Sequence, residues 1–296
     1  RASLMRQLYT ETRRALNRGL DNPLDREEVI RDTKRSATDA LEYRGFLEDE
    51  LRGLWSTRGE DYFLRERAED IAWHTEAIAD HNHERGALVL VRQASESPIG
   101  NATQIFVHTL DEPSTFARIC AALETLDLTI HDARIYSDTD GSTLDTFFVL
   151  RSDGASLDSH PDTFQEIEDR IRQHLSKSEL KTVSRHTPRT VKAFTIPTTV
   201  QFSQDETSHL TTLEVTTADR PGLLARLGSV LSRYDVSVQG AKIQTLGERV
   251  EDIFFLADAM GGQLKDEALL ASLENDLIEA LGTGQQEDSG VSELSI

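Results

Sequence analysis

Residues 217–238 read "TADRPGLLARLGSVLSRYDVSV", and residues 109–130 read "TLDEPSTFARICAALETLDLTI". Asp, Pro, Ala-Arg, Leu and Asp recur in the same order at the same intervals. At the constant offset that lays Asp111 on Asp219, Pro113 falls on Pro221, Arg118 on Arg226, Leu123 on Leu231, Asp127 on Asp235, Ala133 on Ala241 and Ile135 on Ile243. With one residue deleted in the next turn, Asp145, Phe147 and Phe148 fall on Asp252, Phe254 and Phe255. So many coincidences in one register indicate an internal duplication.

Working outward, each copy alternates between the two-residue period of strands and the longer period of helices. In the first copy "ALVLVR" and "TQIFVHTL" read as strands and "STFARICAALETL" as a helix. "LTIHDARIYS" and "TLDTFFVLR" read as strands around a turn with Gly141, and "PDTFQEIEDRIRQHL" as a helix with Pro161 in its first turn. The second copy repeats the order ββαββα. It runs through "TTVQFS", "TTLEVTT", "PGLLARLGSVLSRY", "VSVQGAKIQT", "VEDIFFLAD" and "LKDEALLASLENDLIEAL". Each copy thus holds a βαββαβ-like core whose last strand is supplied by a hairpin partner. The alternation in "TQIFVHT" and "TTLEVTT" predicts a sheet with helices on one face and a second face or edge free to pair the copies.

Residues 1–84 carry helical spacing throughout. "SLMRQLYTETRRALNRGL" is stopped by Asp21 to Pro23, and "LDREEVIRDTKRSATDALEY" is closed by Gly45. "FLEDELRGLW" and "AEDIAWHTEAIADH" read as two short helices joined through "STRGEDYFLRER", with Trp73 as a packing anchor and His74 partly exposed. The implied organisation is a helical region over 1–84, a first sheet unit over 85–178, a connector over 179–197, a second sheet unit over 198–283 and a flexible polar tail over 284–296.

A chain of 296 residues has room for two or three domains. No apolar run approaches the roughly 20 residues that cross a bilayer, so no membrane association is expected. Cys120, the single cysteine, sits at an apolar helical position and rules out an internal disulfide framework. Together these predict a cytoplasmic protein. The net charge of −20 excludes general attraction to nucleic acid. The chain opens without Met, which suggests a fragment or processed product.

The stretch "TTADRPGLLARLGSVLSRYDVSVQGAKIQT" followed by "EDIFFLAD" resembles the ACT domain, a ferredoxin-like regulatory module that commonly binds amino acids; D-R-P-G-L is its most recognisable element. The first copy resembles a divergent ACT domain with Ser114 where the second has Gly222. Two such units preceded by helices containing "LMRQLYTETRRAL" and "DYFLRERAEDIAWHTEAI" are similar to the C-terminal part of the bifunctional uridylyltransferase and uridylyl-removing enzymes of nitrogen control. The resemblance implies an α+β chain: an N-terminal α-helical segment, then two tandem ferredoxin-like ACT domains with antiparallel sheets, each with an added hairpin strand.

It also implies a regulatory role. In that family a nucleotidyltransferase domain adds UMP to the PII protein, an HD-type phosphohydrolase domain removes it, and the ACT pair senses L-glutamine. This sequence has no glycine-serine loop with paired aspartates and no His-Asp doublet among its helices, so no catalytic residues, no metal and no cofactor are expected in it. Mg or Mn is expected for the family's catalytic domains. The doublet at His131 and Asp132 lies on a strand, where neighbours point to opposite faces and cannot share one metal.

The physics of the repeated loop fits a small anion. Where a strand delivers the chain to a helix start, several backbone N–H groups lack intrahelical partners, and an α-carboxylate can take them. Gly222 allows close backbone approach, Pro221 presets the first-turn dihedral, and Asp219 either caps the helix or takes the ligand's ammonium group. Candidate ligand-binding residues are Asp219, Arg220, Pro221, Gly222, Leu223 and Leu224 in that loop. Gln239 beside Gly240 is the candidate partner for a side-chain amide, and Asp111, Glu112, Pro113 and Ser114 form the first copy's loop. A site shared between copies is a further arrangement. The alternative is that D-x-P-G only caps a helix, worth about 1 kcal/mol. The copies would then serve as a dimerisation or protein-interaction module, pairing sheets within the chain or in a homo-oligomer.

Overall fold

The computed structural model describes residues 23–81, 86–94, 100–112, 114–157, 160–176, 196–204, 208–246 and 248–282. The expected first helix over residues 3–20, the connector's centre and the tail lie outside these residues. The chain divides into two units, one of residues 1–82 with 136–142, the other of residues 83–135 with 143–296.

The first unit is helical: α1 (Pro23–Glu42), α2 (Glu48–Leu54), α3 (Glu60–Arg65) and α4 (Ala68–Asp80). Ala37 and Leu41 of α1 are fully buried and cluster with Leu51 of α2 and Ala72 of α4. Gly45 ends α1 at φ 99°, a conformation only glycine takes cheaply, and the Phe46 N–H donates to the Leu41 carbonyl at 3.1 Å. The stretch expected as a linker holds α3, whose six residues are too few for a periodic signal, and Tyr62 and Phe63 on it are buried. His74 corrects the expectation of partial exposure. It is fully buried, and its Nδ1 pairs with the Tyr62 hydroxyl at 3.0 Å, so that nitrogen is met inside.

The same unit includes a β-hairpin tip, Tyr136–Ser142. Tyr136 packs edge-on against Tyr62 with centroids 5.4 Å apart, and the Arg65 guanidinium lies 5.3 Å above the Tyr136 ring. The Thr139 N–H donates to the Thr57 carbonyl at 3.3 Å. Asp138 pairs with Arg58, and both side chains are almost wholly removed from water.

The second unit contains both copies. The first comprises β1 (Leu88–Gln93), β2 (Thr103–Leu110), α5 (Thr115–Thr125), β3 (Leu128–Ser137), β4 (Ser142–Arg151) and α6 (Pro161–Leu175). The second comprises β5 (Thr199–Gln204), β6 (Thr211–Ala218), α7 (Leu223–Arg233), β7 (Ser237–Lys242), the short β8 (Thr245–Leu246), β9 (Arg249–Ala257) and α8 (Glu267–Gly282). The order ββαββα thus appears twice. The strands run β1-β2-β4-β3-β7-β9-β6-β5 in a single sheet, with β8 paired to β9, so two copies of the order 1-2-4-3 abut through their third strands.

The seam is antiparallel and has the symmetry of the repeat. Asp132 faces Lys242, Ala133 faces Ala241 and Arg134 faces Gly240. Ala133 and Ala241 are counterparts in the two copies, so a local two-fold axis passes through their pair. The Lys242 ammonium, half-exposed, closes the seam on the Asp132 carboxylate. Both copies also turn out of their first helix on a left-handed aspartate, Asp127 at φ 61° and Asp235 at φ 53°. Asp and Asn tolerate this conformation better than most side chains.

Helices pack in the order α6, α5, α7, α8. On β6 every second residue is buried, as alternation predicts. On β2 the polar Gln104 and His108 are buried too, each with one polar atom held: Gln104 Oε1 accepts from Arg92 Nε at 3.0 Å, and His108 Nδ1 pairs with the Thr143 carbonyl at 3.0 Å. Where α5 meets α7, Gly228 leaves no room for a side chain. A Cβ there would sit 3.0 Å from the Ala117 Cβ and 3.1 Å from its Cα. Gly228→Val is therefore expected to force the helices apart and cost about 1–3 kcal/mol, read as a lower urea midpoint at unchanged m-value. Gly228→Ala should fall between it and the wild type.

Candidate functional site

Beside the seam a cavity of about 340 Å³ opens between the copies. That is the lower end of the range of small-molecule sites, roughly 300–1,000 Å³. The second copy contributes Asp219, Arg220, Pro221, Gly222, Leu223 and Leu224 from the loop and helix start, with Ile243, Val250 and Asp252 from its sheet. The first copy contributes Cys120 and Glu124 of α5, then Asp127 to Ile130 leading into β3, and Ser152 after β4.

The loop is built by its backbone. The Asp219 N–H donates to the Glu248 carbonyl at 2.9 Å, tying the end of β6 to the turn before β9. The chain then passes through Gly222 at φ 75° and ψ 10°, the residue immediately before α7. This left-handed conformation, rather than close approach alone, is what glycine is needed for. Its counterpart Ser114 sits at φ −90° and ψ −2°, so the first copy enters its helix by a different path that accepts a side chain. Because α7 starts at Leu223, Pro221 precedes the cap and does not occupy the first turn. Nor does Asp219 cap, because no side chain caps α7. The Leu223 N–H donates to the Arg220 carbonyl at 3.3 Å. The following first-turn amides, on Leu224 and Ala225, belong to residues that line the cavity and have no partner within the helix.

Charge around the mouth is mixed. A Cβ on Gly222 would lie 3.5 Å from a Glu124 carboxylate oxygen and 4.0 Å from the Arg226 guanidinium carbon. Burial lowers the Arg226 pKa, and the field of Glu124 raises it again in part. Arg226 also donates to the Pro221 carbonyl at 2.9 Å, bracing the loop. Arg220 reaches the Gly282 carbonyl at the end of α8, 3.4 Å away. The Asp219 carboxyl, partly open to solvent, is raised above the ordinary carboxylate range by desolvation, offset by the Arg220 backbone N–H.

Asp252 lies at the bottom of the cavity on β9, 1% exposed. One carboxylate oxygen accepts the Gln244 N–H at 3.1 Å. Burial, with Asp219 adding to it against that hydrogen bond, pushes the carboxyl up to about 8. Its counterpart Asp145 is likewise pushed up to about 8 by burial, but there the Thr143 hydroxyl donates to the carboxylate.

The other anticipated residues lie elsewhere. Gln239 and Gly240 stand on β7 and do not line the cavity: the Gln239 amide donates to the Ser237 hydroxyl at 3.1 Å, and Gly240 faces Arg134 across the seam. Asp111 and Glu112 are exposed on the first copy's own loop, where Glu112 pairs with Arg118 at 3.0 Å; Ser114 precedes α5, and Pro113 lies outside the described residues. Sequence reasoning missed the first copy's contribution, Glu124 above all, and Asp252. A signal for Asp252 was present: an aspartate recurs in two otherwise apolar strands, "TLDTFFVL" and "VEDIFFLA". Among the described residues no group of three or more His, Cys, Asp or Glu gathers as a metal site.

Comparison with known proteins agrees with this architecture. Residues 211–275 match the ACT domain family, residues 98–176 the family described as the ACT-like domain of plant bHLH transcription factors, and residues 25–77 the uridylyltransferase GlnD fifth domain. The class is therefore a helical unit followed by tandem ACT-type units. A bifunctional uridylyltransferase/uridylyl-removing enzyme of Pseudomonas putida (strain GB-1) is 44% identical over all of this chain and 33% of its own length. The enzyme of the same name from Ectopseudomonas mendocina is 47% identical over 95% of this chain and 32% of its own. The chain thus matches the C-terminal third of the bifunctional uridylyltransferase/uridylyl-removing enzymes and spans about one third of their length. A solved structure described as an unknown protein from Galdieria sulphuraria overlaps 60% of this chain and 89% of that one. At 13% identity and a TM-score of 0.20 it is too remote to inform the fold. No described helix is long and apolar enough to cross a membrane.

Proposed function

We propose that this chain is the amino-acid-sensing regulatory region of a bifunctional uridylyltransferase/uridylyl-removing enzyme acting on the PII protein, with L-glutamine as its ligand. The supporting observation is the cavity at the seam: the uncapped start of α7 and the Gly222 turn border it on one side, and the first copy's α5 and β3 on the other. A free amino acid suits such a place. Its α-carboxylate takes the first-turn amides, and its ammonium group faces acids on both walls. Because the walls come from different copies, a ligand bridging them favours one arrangement of the pair. Any control of UMP addition against removal then rests on the difference in affinity between arrangements. Metal chemistry, with Mg or Mn, is assigned to the enzyme's catalytic domains and not to this cleft.

Calorimetric titration of the chain with glutamine, with glutamate and asparagine as controls, tests the reading. Glutamine is expected to bind, with the controls markedly weaker. Gly222→Ala forces a Cβ into the left-handed conformation at about 1–2 kcal/mol and is expected to weaken binding more than it lowers thermal stability. Absence of heat and of any thermal shift with glutamine overturns the reading.

A further inference from the structure

The two copies treat one buried acid differently. In the first, the Thr143 hydroxyl donates to Asp145, two residues along β4. The repeat places Val250 where Thr143 stands, so the second copy has a methyl in place of that hydroxyl. Val250 is itself 2% exposed and lines the cavity. Asp252 is left with one carboxylate oxygen held by the Gln244 N–H and the other, Oδ2, buried without a hydrogen-bond partner among the described residues. A buried acceptor left unmet is costly, and here it borders an open cavity.

We propose that Asp252 is a ligand-contacting acid at the bottom of the cleft, where its open carboxylate oxygen takes the positively charged amine of a small amino-acid ligand. The assignment rests on the reading of the cleft as an amino-acid site and names the group that holds the amine. Val250 in place of Thr143 is the change that frees the acid for a ligand. Asp145, satisfied from within, is structural.

Among the described residues no cation pairs with Asp252, and Arg220 is the one cation that lines the cavity. Asp219 faces Asp252 from the loop, Glu124 and Asp127 line the same cavity from the first copy, and Arg220 lines its rim. From β6 the cross-strand neighbour is the uncharged Val215, and the segment before β8 offers the Gln244 amide. An ammonium group entering here meets acids, and a ligand with a second carboxylate in this corner is repelled. Because burial holds Asp252 largely protonated at neutral pH, capture of an ammonium ion draws that proton off into solvent.

The test is calorimetry of the whole chain at pH 7 in two buffers of different ionisation enthalpy. The ligands are glutamine and glutaramic acid, which keeps the carboxylate and side-chain amide but lacks the amine. Wild type is expected to bind glutamine with net proton release and to prefer it over glutaramic acid. Asp252→Asn keeps the acceptor for Gln244 but cannot ionise; it should bind glutamine at least about tenfold more weakly, without proton release, and with the preference for the amine reduced. Val250→Thr restores the internal donor and should weaken glutamine binding in the same direction. It remains informative if Asp252→Asn fails to fold. If both variants bind glutamine as tightly as wild type with the same proton count, Asp252 does not hold the amine, although the cleft is still a glutamine site. If wild type takes up no glutamine, both the sensor reading and this assignment fall.

Discussion

Replacing Arg58 with Met is expected to cost the helical unit about 3–5 kcal/mol, because it leaves Asp138 fully buried without its partner. The loss arises from the uncompensated carboxylate and not from the net worth of the pair, which desolvation of both ions largely cancels. Two controls separate these contributions. Asp138→Leu combined with Arg58→Met removes both charges and should recover most of the loss, giving a strong non-additive coupling. Arg58→Lys should recover only part, since an ammonium on a flexible stem does not reproduce the guanidinium fork. The measurement is convenient because the chain's two tryptophans, Trp55 and Trp73, both belong to this unit. Trp55 donates from Nε1 to the Thr75 hydroxyl at 2.9 Å and packs edge-on against Phe63 at 5.6 Å, so its fluorescence reports whether the unit is folded. An unfolding free energy for Arg58→Met within about 1 kcal/mol of wild type, from urea titration, would mean that Asp138 finds water or another donor.

Stability of the paired copies should fall as pH rises from 5 to 8. Asp145 and Asp252 are each raised from the ordinary carboxylate range to about 8, chiefly by burial. A carboxyl that holds its proton more tightly when folded contributes stability that is complete below its unfolded pKa. That contribution is lost as pH climbs through the folded value. Within that window each group contributes a slope of about 1.4 kcal/mol per pH unit. Asp145→Asn keeps the acceptor for the Thr143 hydroxyl and should remove one such slope; pairing it with Asp252→Asn should nearly flatten the profile. Urea midpoints followed by far-UV circular dichroism at half-unit steps of pH provide the check. Parallel profiles for wild type and the double variant would show that both acids ionise freely in the folded chain.

The repeat makes most of the second unit legible in the sequence alone. The ββαββα order follows from alternating and helical periods, and the register between copies was fixed by aspartates, prolines and aromatics, not by general hydrophobicity. What periodicity does not encode is which strand edge meets which. The β3–β7 seam joins residues more than a hundred positions apart through backbone hydrogen bonds available to almost any sequence, so two separate sheets and one continuous sheet look alike from the pattern. The same limit hid half of the candidate site. The loop from Asp219 to Leu224 carries a local turn signature, whereas Glu124 is an ordinary helix residue until the seam brings it beside Gly222. His74 was misjudged for a related reason: its burial depends on the Tyr62 hydroxyl, which reaches it from a helix too short to announce itself.

Ala133 and Ala241 meet within one polypeptide, so the contact that shapes the cleft survives dilution. A tether of a few tens of residues holds its ends at an effective local concentration near millimolar, far above the amount of most regulatory proteins in a cell. A receptor assembled from two separate subunits would gain and lose its pocket as its own abundance changed. On the proposed reading of the cleft as an amino-acid site, its occupancy depends on the ligand alone and not on the abundance of the protein. Because the two halves are encoded separately, one can keep an acid sealed by a threonine while the other leaves it open.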